Sequence, residues 1–279
     1  MAGPPNRVAR GPRTRKRRFG DGTDRRREPD FGPLYLYGIH AVQSALDNPS
    51  RVVRRLLATR NAIARLPGRE GLSPEIVEPK VIDRLVGQNV VHQGVVVEVE
   101  PLEDRTLSDI VPGSTLLVLD QVTDPHNVGA ILRSAAAMGV GALVTTRRHA
   151  PSETATLAKT ASGGLEHVPI VRVGNLAAAI EELRSIGYTT VGLDSDGPET
   201  LETALPDGPV AIVLGAEGTG LRQRTREVVD RLARLDMPGP IRSLNVSNAA
   251  ALALYAVIRR NADQDVRGRR QRISAAKES

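Results

Sequence analysis

Gly239-Pro240-Ile241-Arg242-Ser243-Leu244-Asn245-Val246-Ser247-Asn248 runs straight into Ala249-Ala250-Ala251-Leu252-Ala253-Leu254-Tyr255. A rigid Gly-Pro turn comes first. Four small hydrogen-bonding side chains follow, and then a helix so rich in Ala and Leu that it must pack against other elements. Polar groups this dense at the mouth of a buried helix each need a partner. Two readings are open here. Ser243 or Asn245 is the N-cap of an ordinary helix, or the stretch is a ligand site on the free N–H groups of a helix N-terminus.

Upstream, from Ser114, strand and helix patterns alternate. Apolar or β-branched runs predict strands at 115–120, 142–145, 168–173, 188–193, 210–214 and 232–236. Helices are predicted at 127–138, 153–162, 176–186, 221–231 and 243–259, several closed by Gly. Apolar strands joined by crossover helices imply a parallel sheet covered on both faces, an α/β fold. Residues 105–113 read as a linker, and the sheet domain as 114–262.

A smaller α/β module precedes it, over 34–104. Tyr35-Leu36-Tyr37 is a short strand, 40–46 a helix ended by Asn48-Pro49, 52–58 a strand and 82–86 a short helix. The β-branched run Val90–Val99 predicts a strand pair or one bent strand.

The 279 residues are 40% hydrophobic, and no apolar run approaches the roughly 20 residues that span a bilayer. Cys is absent, which removes disulfides, thiolate catalysis and Cys-ligated metals. No His and carboxylate cluster suggests a metal. A soluble, cytoplasmic protein is expected. The net charge of +6 is uneven. Residues 1–33 carry ten Lys and Arg against four acids, without periodicity, and read as a disordered basic arm. Residues 263–279 read as a flexible basic tail. Basic ends on a near-neutral body suit contacts with a polyanion. Two Phe and four Tyr are too few for base stacking to be the main mode of RNA binding.

Ligands of open parallel sheets bind beyond the carboxyl ends of the strands. Three such ends are unusually polar. The first runs from Asp120 through Asp124-Pro125-His126-Asn127 to Arg133. Arg133 reads either as a surface ion-pairing residue or as a fork aimed at a phosphate or hydroxyl. His126 alone is weak. The second is Leu214-Gly215-Ala216-Glu217-Gly218-Thr219-Gly220. Its glycines let the backbone approach a ligand closely. No Gly-Lys-Ser/Thr follows and the spacing is not Gly-x-Gly-x-x-Gly, so neither a P-loop nor a dinucleotide site fits. The third is the stretch quoted first.

Taken together, Asn127…Arg133, Gly215-Ala216-Glu217-Gly218 and Ser243-Leu244-Asn245-Val246-Ser247 resemble the three motifs of the SpoU (TrmH-type) RNA ribose 2′-O-methyltransferases. The likeness covers about 114–260. Tyr37-Gly38-Ile39-His40-Ala41-Val42 and Val91-His92-Gln93-Gly94 resemble the substrate-binding domain, related to ribosomal proteins, of the RlmB-like branch, which modifies 23S ribosomal RNA. The resemblance implies a SPOUT domain with a deep trefoil knot, a homodimer, S-adenosylmethionine as cofactor and RNA as substrate, with no metal and no membrane. It carries Asn127, Arg133, Glu217, Ser243 and Asn245 into the catalytic site. It places the cofactor on Gly215, Leu235 and Leu244, with backbone from Thr145, Glu217, Met237 and Ile241 nearby. A tRNA substrate, or a non-catalytic role in ribosome assembly, are the rival readings.

Overall fold

Two sheets carry the chain. The computed structural model describes residues 33–66, 71–241 and 243–278, with side chains to Gln264. In the module, β1 (Leu34–Tyr37), β2 (Val53–Ala58), β3 (Glu75–Ile76) and β4 (Val95–Val99) form a sheet in the order β1-β4-β2-β3. Strand β4 runs antiparallel to both β1 and β2. Helices α1 (Ile39–Asp47), α2 (Arg60–Ile63) and α3 (Pro79–Val86) surround it.

The second sheet holds β5 (Leu116–Asp120), β6 (Ala142–Thr146), β7 (Ile170–Val173), β8 (Thr189–Leu193), β9 (Glu199–Thr200), β10 (Val210–Gly215) and β11 (Arg231–Arg234). The order is β7-β6-β5-β10-β8-β11-β9, and every pairing is parallel. Crossovers come from α4 (Pro125–Ala137), α5 (Ala155–Ala161), α6 (Gly164–His167), α7 (Leu176–Ser185), α8 (Leu201–Ala204) and α9 (Gln223–Val228). Helix α10 (Val246–Glu278) closes the chain.

Both faces of the sheet are covered, as the apolar strands predict. Leu117 and Leu119 of β5 join Ile131, Leu132, Leu157 and Leu254 on one side. Leu116 and Val118 join Ile180, Leu183 and Val213 on the other. The first cluster continues without a break into Leu36, Ile39, Val42, Leu56 and Val97 of the module. The residues read as a linker are packed as well. Arg105 bridges to Val171 of β7, and a single 3-10 turn at Leu107–Asp109 sets Leu107 and Ile110 against the second cluster.

Several expectations shift. Only Val95–Val99 of the run from Val90 is strand, because Gln93 and Gly94 both take positive φ (56° and 78°) and turn the chain. Helix α9 is shorter than the apolar pattern over 221–231. Helix α10 starts at Val246, not Ser243, because Asn245 caps it: its Oδ1 accepts from the Ser247 N–H at 2.9 Å. That helix also continues through Glu278, where a flexible tail was expected. Past Arg259 the sequence has no Pro and is rich in Arg, Gln and Ala, all good helix formers. The basic arm lies outside the described residues, apart from Pro33. Among the described residues no helix is long and apolar enough to cross a membrane, and no cluster of side chains could hold a metal.

Candidate active site

The carboxyl ends of β5 and β10 are adjacent, with Asp120 paired to Gly215. Asp120 is fully buried. Its carboxylate accepts from the Arg222 backbone N–H (3.0 Å) and Nε (2.6 Å), which ties the first polar loop to the exit of the glycine loop. A charged hydrogen bond of this kind fixes geometry as well as energy. Asp124 then caps α4 by accepting from the His126 N–H, and Pro125 stands in the first turn, where its missing N–H costs nothing. Asn127 is thereby placed at the start of α4.

Three motif residues meet there. The Asn245 Nδ2 donates to the Asn127 Oδ1 at 2.9 Å. The Asn127 Nδ2 and Asn245 Nδ2 both face the Glu217 Oε2 at 3.4 Å. The Asn245 Oδ1 accepts from the Ser247 Oγ at 2.6 Å. The residue that caps the start of α10 thus also bridges the other two loops.

A cleft of about 410 Å³ opens beside this node. That volume suits a small-molecule site, typically about 300–1,000 Å³. Gly215, Leu235, Met237, Leu244, Glu217 and Ser243 line it, with Leu214 and Val246 adding apolar wall. A Cβ on Gly215 would stand 2.1 Å from the Gly220 backbone, so the loop closes on itself only with glycine there. Apolar walls, exposed loop backbone and carboxylates at one end fit a nucleoside carrying a charged amino-acid tail.

Two predicted cofactor residues lie elsewhere. Thr145 is 3% exposed on β6, paired to Leu119, with β5 standing between it and β10. Ile241 is 71% exposed and is not among the residues lining the cleft. Arg133 is not joined to the node either. Six residues along an α-helix is about 9 Å of rise and a 240° turn from Asn127. Its exposed side chain has no hydrogen bond or ion pair among the described residues.

The cleft also has a wall that was not foreseen. Leu193 at the end of β8, and Asp194, Ser195 and Asp196 after it, line the cleft together with the glycine loop. Asp194 is ion-paired with Arg226 of α9, and its Oδ1 accepts from the Asp196 N–H at 2.9 Å. The signal was present: Leu193-Asp194-Ser195-Asp196-Gly197 is a fourth polar end of a parallel strand.

An all-parallel sheet with a glycine-edged cleft and an amide–carboxylate node at its carboxyl ends is the architecture of a small-molecule site at the ends of parallel strands. The family model of the SpoU rRNA Methylase family matches residues 114–255, and that for RNA 2′-O ribose methyltransferase substrate binding matches 35–105. The chain belongs to the SpoU rRNA methylase family. It is an enzyme, a methyltransferase, and its cofactor is S-adenosylmethionine. Among relatives, the 23S rRNA (guanosine-2′-O-)-methyltransferases RlmB of Vibrio vulnificus and Vibrio cholerae are 38% and 39% identical. They cover 81% and 80% of this chain and 96% of their own length. Of solved structures, AviRb from Streptomyces viridochromogenes bound to AdoMet aligns with a TM-score of 0.69 at 26% identity, over 82% of this chain and 91% of its own. AdoMet-bound rRNA methyltransferase from Sinorhizobium meliloti gives 0.68 at 26%, over 81% and 87%.

Proposed function

We propose that this protein methylates the 2′-hydroxyl of a guanosine ribose in 23S rRNA. The observation that carries the reading is the node of Asn127, Glu217 and Asn245 at the mouth of the cleft. The naming of the Vibrio relatives and the matched substrate-binding module support the choice of RNA.

The cofactor supplies an electrophilic methyl group on a sulfonium. Gly215, Leu235, Met237 and Leu244 would hold it, with the carboxylates of Asp194 and Asp196 facing its hydroxyl or ammonium groups. The chain's own task is to aim a weak nucleophile. A ribose hydroxyl must sit in line with the methyl group at about 3–3.5 Å. Asn127 and Asn245 hold the ribose, and Glu217 holds the two amides in register. Ser243, at the lip of the cleft, reaches the attacking oxygen. Arg133 binds the adjoining phosphate. With a pKa above about 12, a guanidinium does not serve as base. It keeps the phosphate oxygen close to the hydroxyl, and the proton leaves through that oxygen to water.

A homodimer is supported by the outer face of α10. Leu252, Tyr255 and Ile258 lie exposed at helical spacing. Tyr255→Asp is expected to convert the dimer to monomer in light scattering and to lower activity at least tenfold. A monomeric parent chain would end this part of the reading. A trefoil knot is supported by the path of the chain: β11 lies outside β8, yet the next segment returns along the glycine loop before α10 packs on α4 and β10. A cytoplasmic location follows from the substrate.

Purified protein with labelled S-adenosylmethionine is expected to label unmodified 23S rRNA at one ribose and to leave tRNA unlabelled. Label on tRNA alone would replace the substrate. No label on either would overturn the reading.

A further inference from the structure

Arg51 sits at the junction of the module and the catalytic domain, 1% exposed. Its Nη2 and Nε donate to Glu166 Oε1 (2.6 Å) and Oε2 (3.1 Å), a bidentate pair with the residue next to the end of α6. Its Nη1 donates to the Glu100 carbonyl (2.7 Å) and lies 2.5 Å from Glu153 Oε1. The other Glu153 oxygen accepts from the Leu102 N–H (2.9 Å). Asn48 Nδ2 adds a bond to Glu166 at 2.7 Å. One guanidinium therefore joins the module, the segment that leaves it, and both α6 and the loop before α5 of the catalytic domain.

Close backbone packing continues from this clamp to the catalytic helix. A Cβ on Gly163, which has φ +94°, would meet Ser44 Oγ of α1 at 2.2 Å. A Cβ on Gly164 would meet the Leu132 carbonyl oxygen of α4 at 2.6 Å, and one on Gly129 of α4 would meet Thr160 of α5 at 2.7 Å. So α1 presses on the α5–α6 corner, and that corner presses on the helix bearing Asn127 and Arg133.

From this stack we infer that the module is a fixed jig and not a tethered RNA-binding arm, with Arg51 as the positioning residue that sets the distance from bound RNA to α4. The inference rests on the methyltransferase reading for its consequence but not for its geometry. A rigid jig holds one ribose of a bound RNA opposite the cleft. A tethered module would raise local RNA concentration and leave the choice of ribose to the catalytic domain alone.

The chain has no Cys, so Arg84→Cys on α3 with Glu182→Cys on α7 gives two clean spin-label sites. Labelled full-length chain is diluted with unlabelled chain, and the distance distribution is read by pulsed electron resonance. One narrow peak is expected; a broad distribution with Arg51 intact overturns the inference, and needs no substrate to do so. The second arm is Arg51→Met with Glu166→Gln, which removes the guanidinium and one of the carboxylates it partners. Its peak is expected to broaden. The KM for an rRNA fragment should rise at least tenfold, neighbouring riboses should take up label, and S-adenosylhomocysteine affinity should stay within twofold. A peak, KM and site choice all like the parent's would overturn the role of Arg51.

Discussion

Arg133→Ala should reduce methyl transfer by roughly 10³-fold while leaving the fold and cofactor affinity as they are. The argument starts from what the side chain lacks. Among the described residues it has no hydrogen bond or ion pair, and it stands exposed on α4, away from the cofactor cleft. Surface substitutions of this kind usually change stability by less than about 0.5 kcal/mol. A lone exposed cation six residues past Asn127, on a helix whose start is part of the site, is available for an RNA phosphate. Removing a positioned charge from the reacting centre costs typically 10²–10³ in rate, about 2.7–4 kcal/mol. Loss of the phosphate's orientation adds to that. Single-turnover methylation of rRNA, with calorimetric titration of S-adenosylhomocysteine alongside, separates the two quantities. Activity within tenfold of the parent would remove Arg133 from the chemistry. Lys at the position should recover only part of the rate, because an ammonium keeps the charge but not the planar fork.

How far the sequence reaches is clear from particular residues. The parallel sheet was legible because β5 and β10 are unbroken apolar runs, and burial on both faces leaves no other solution. Asn245 was legible as cap or site; the structure makes it the cap of α10 and joins it by hydrogen bonds to Asn127 and Glu217. Thr145 and Ile241 do not line the cleft of about 410 Å³, because strand order and loop path decide which carboxyl ends adjoin, and neither is written locally. The register of β6 beside β5 sets Thr145 apart from the cleft. The partners of Arg51 were invisible for the same reason: Glu153 and Glu166 are more than 100 residues away in sequence. Asp194 could have been found from its strand end; its partner Arg226 could not. Past Arg259, charge density alone does not distinguish a flexible tail from a helix; the absence of Pro and the helix propensity of Arg, Gln and Ala favour the helix.

Glu166→Ala should be the most destabilising single change outside the two cores, by about 3–5 kcal/mol, the cost of breaking a buried pair from one side. Arg51 would lose both arms of its bidentate partner, and Asn48 would lose its acceptor. The guanidinium keeps the Glu100 carbonyl and the ion pair with Glu153. Glu153→Gln should differ in both size and sign with pH. Burial is the largest influence on this carboxyl and holds its pKa above the ordinary range, against the pull of Arg51 and the Leu102 N–H, with Glu166 pushing the same way as burial. His167, Arg105 and Arg172 line the same cavity. A raised folded-state pKa means that the Glu153 contribution is fully present below the unfolded value and is lost as pH rises through the folded one. The parent should therefore lose stability relative to Glu153→Gln as pH climbs out of the carboxylate range, and the difference should level off near neutrality. Urea unfolding of both chains between about pH 4.5 and 8 measures this, using the linear dependence of stability on denaturant. A difference that stays flat, or that grows in the parent's favour with rising pH, would mean that Arg51 holds Glu153 ionised throughout. The clamp would then be a three-charge lock in which Glu153→Gln is as damaging as Glu166→Ala.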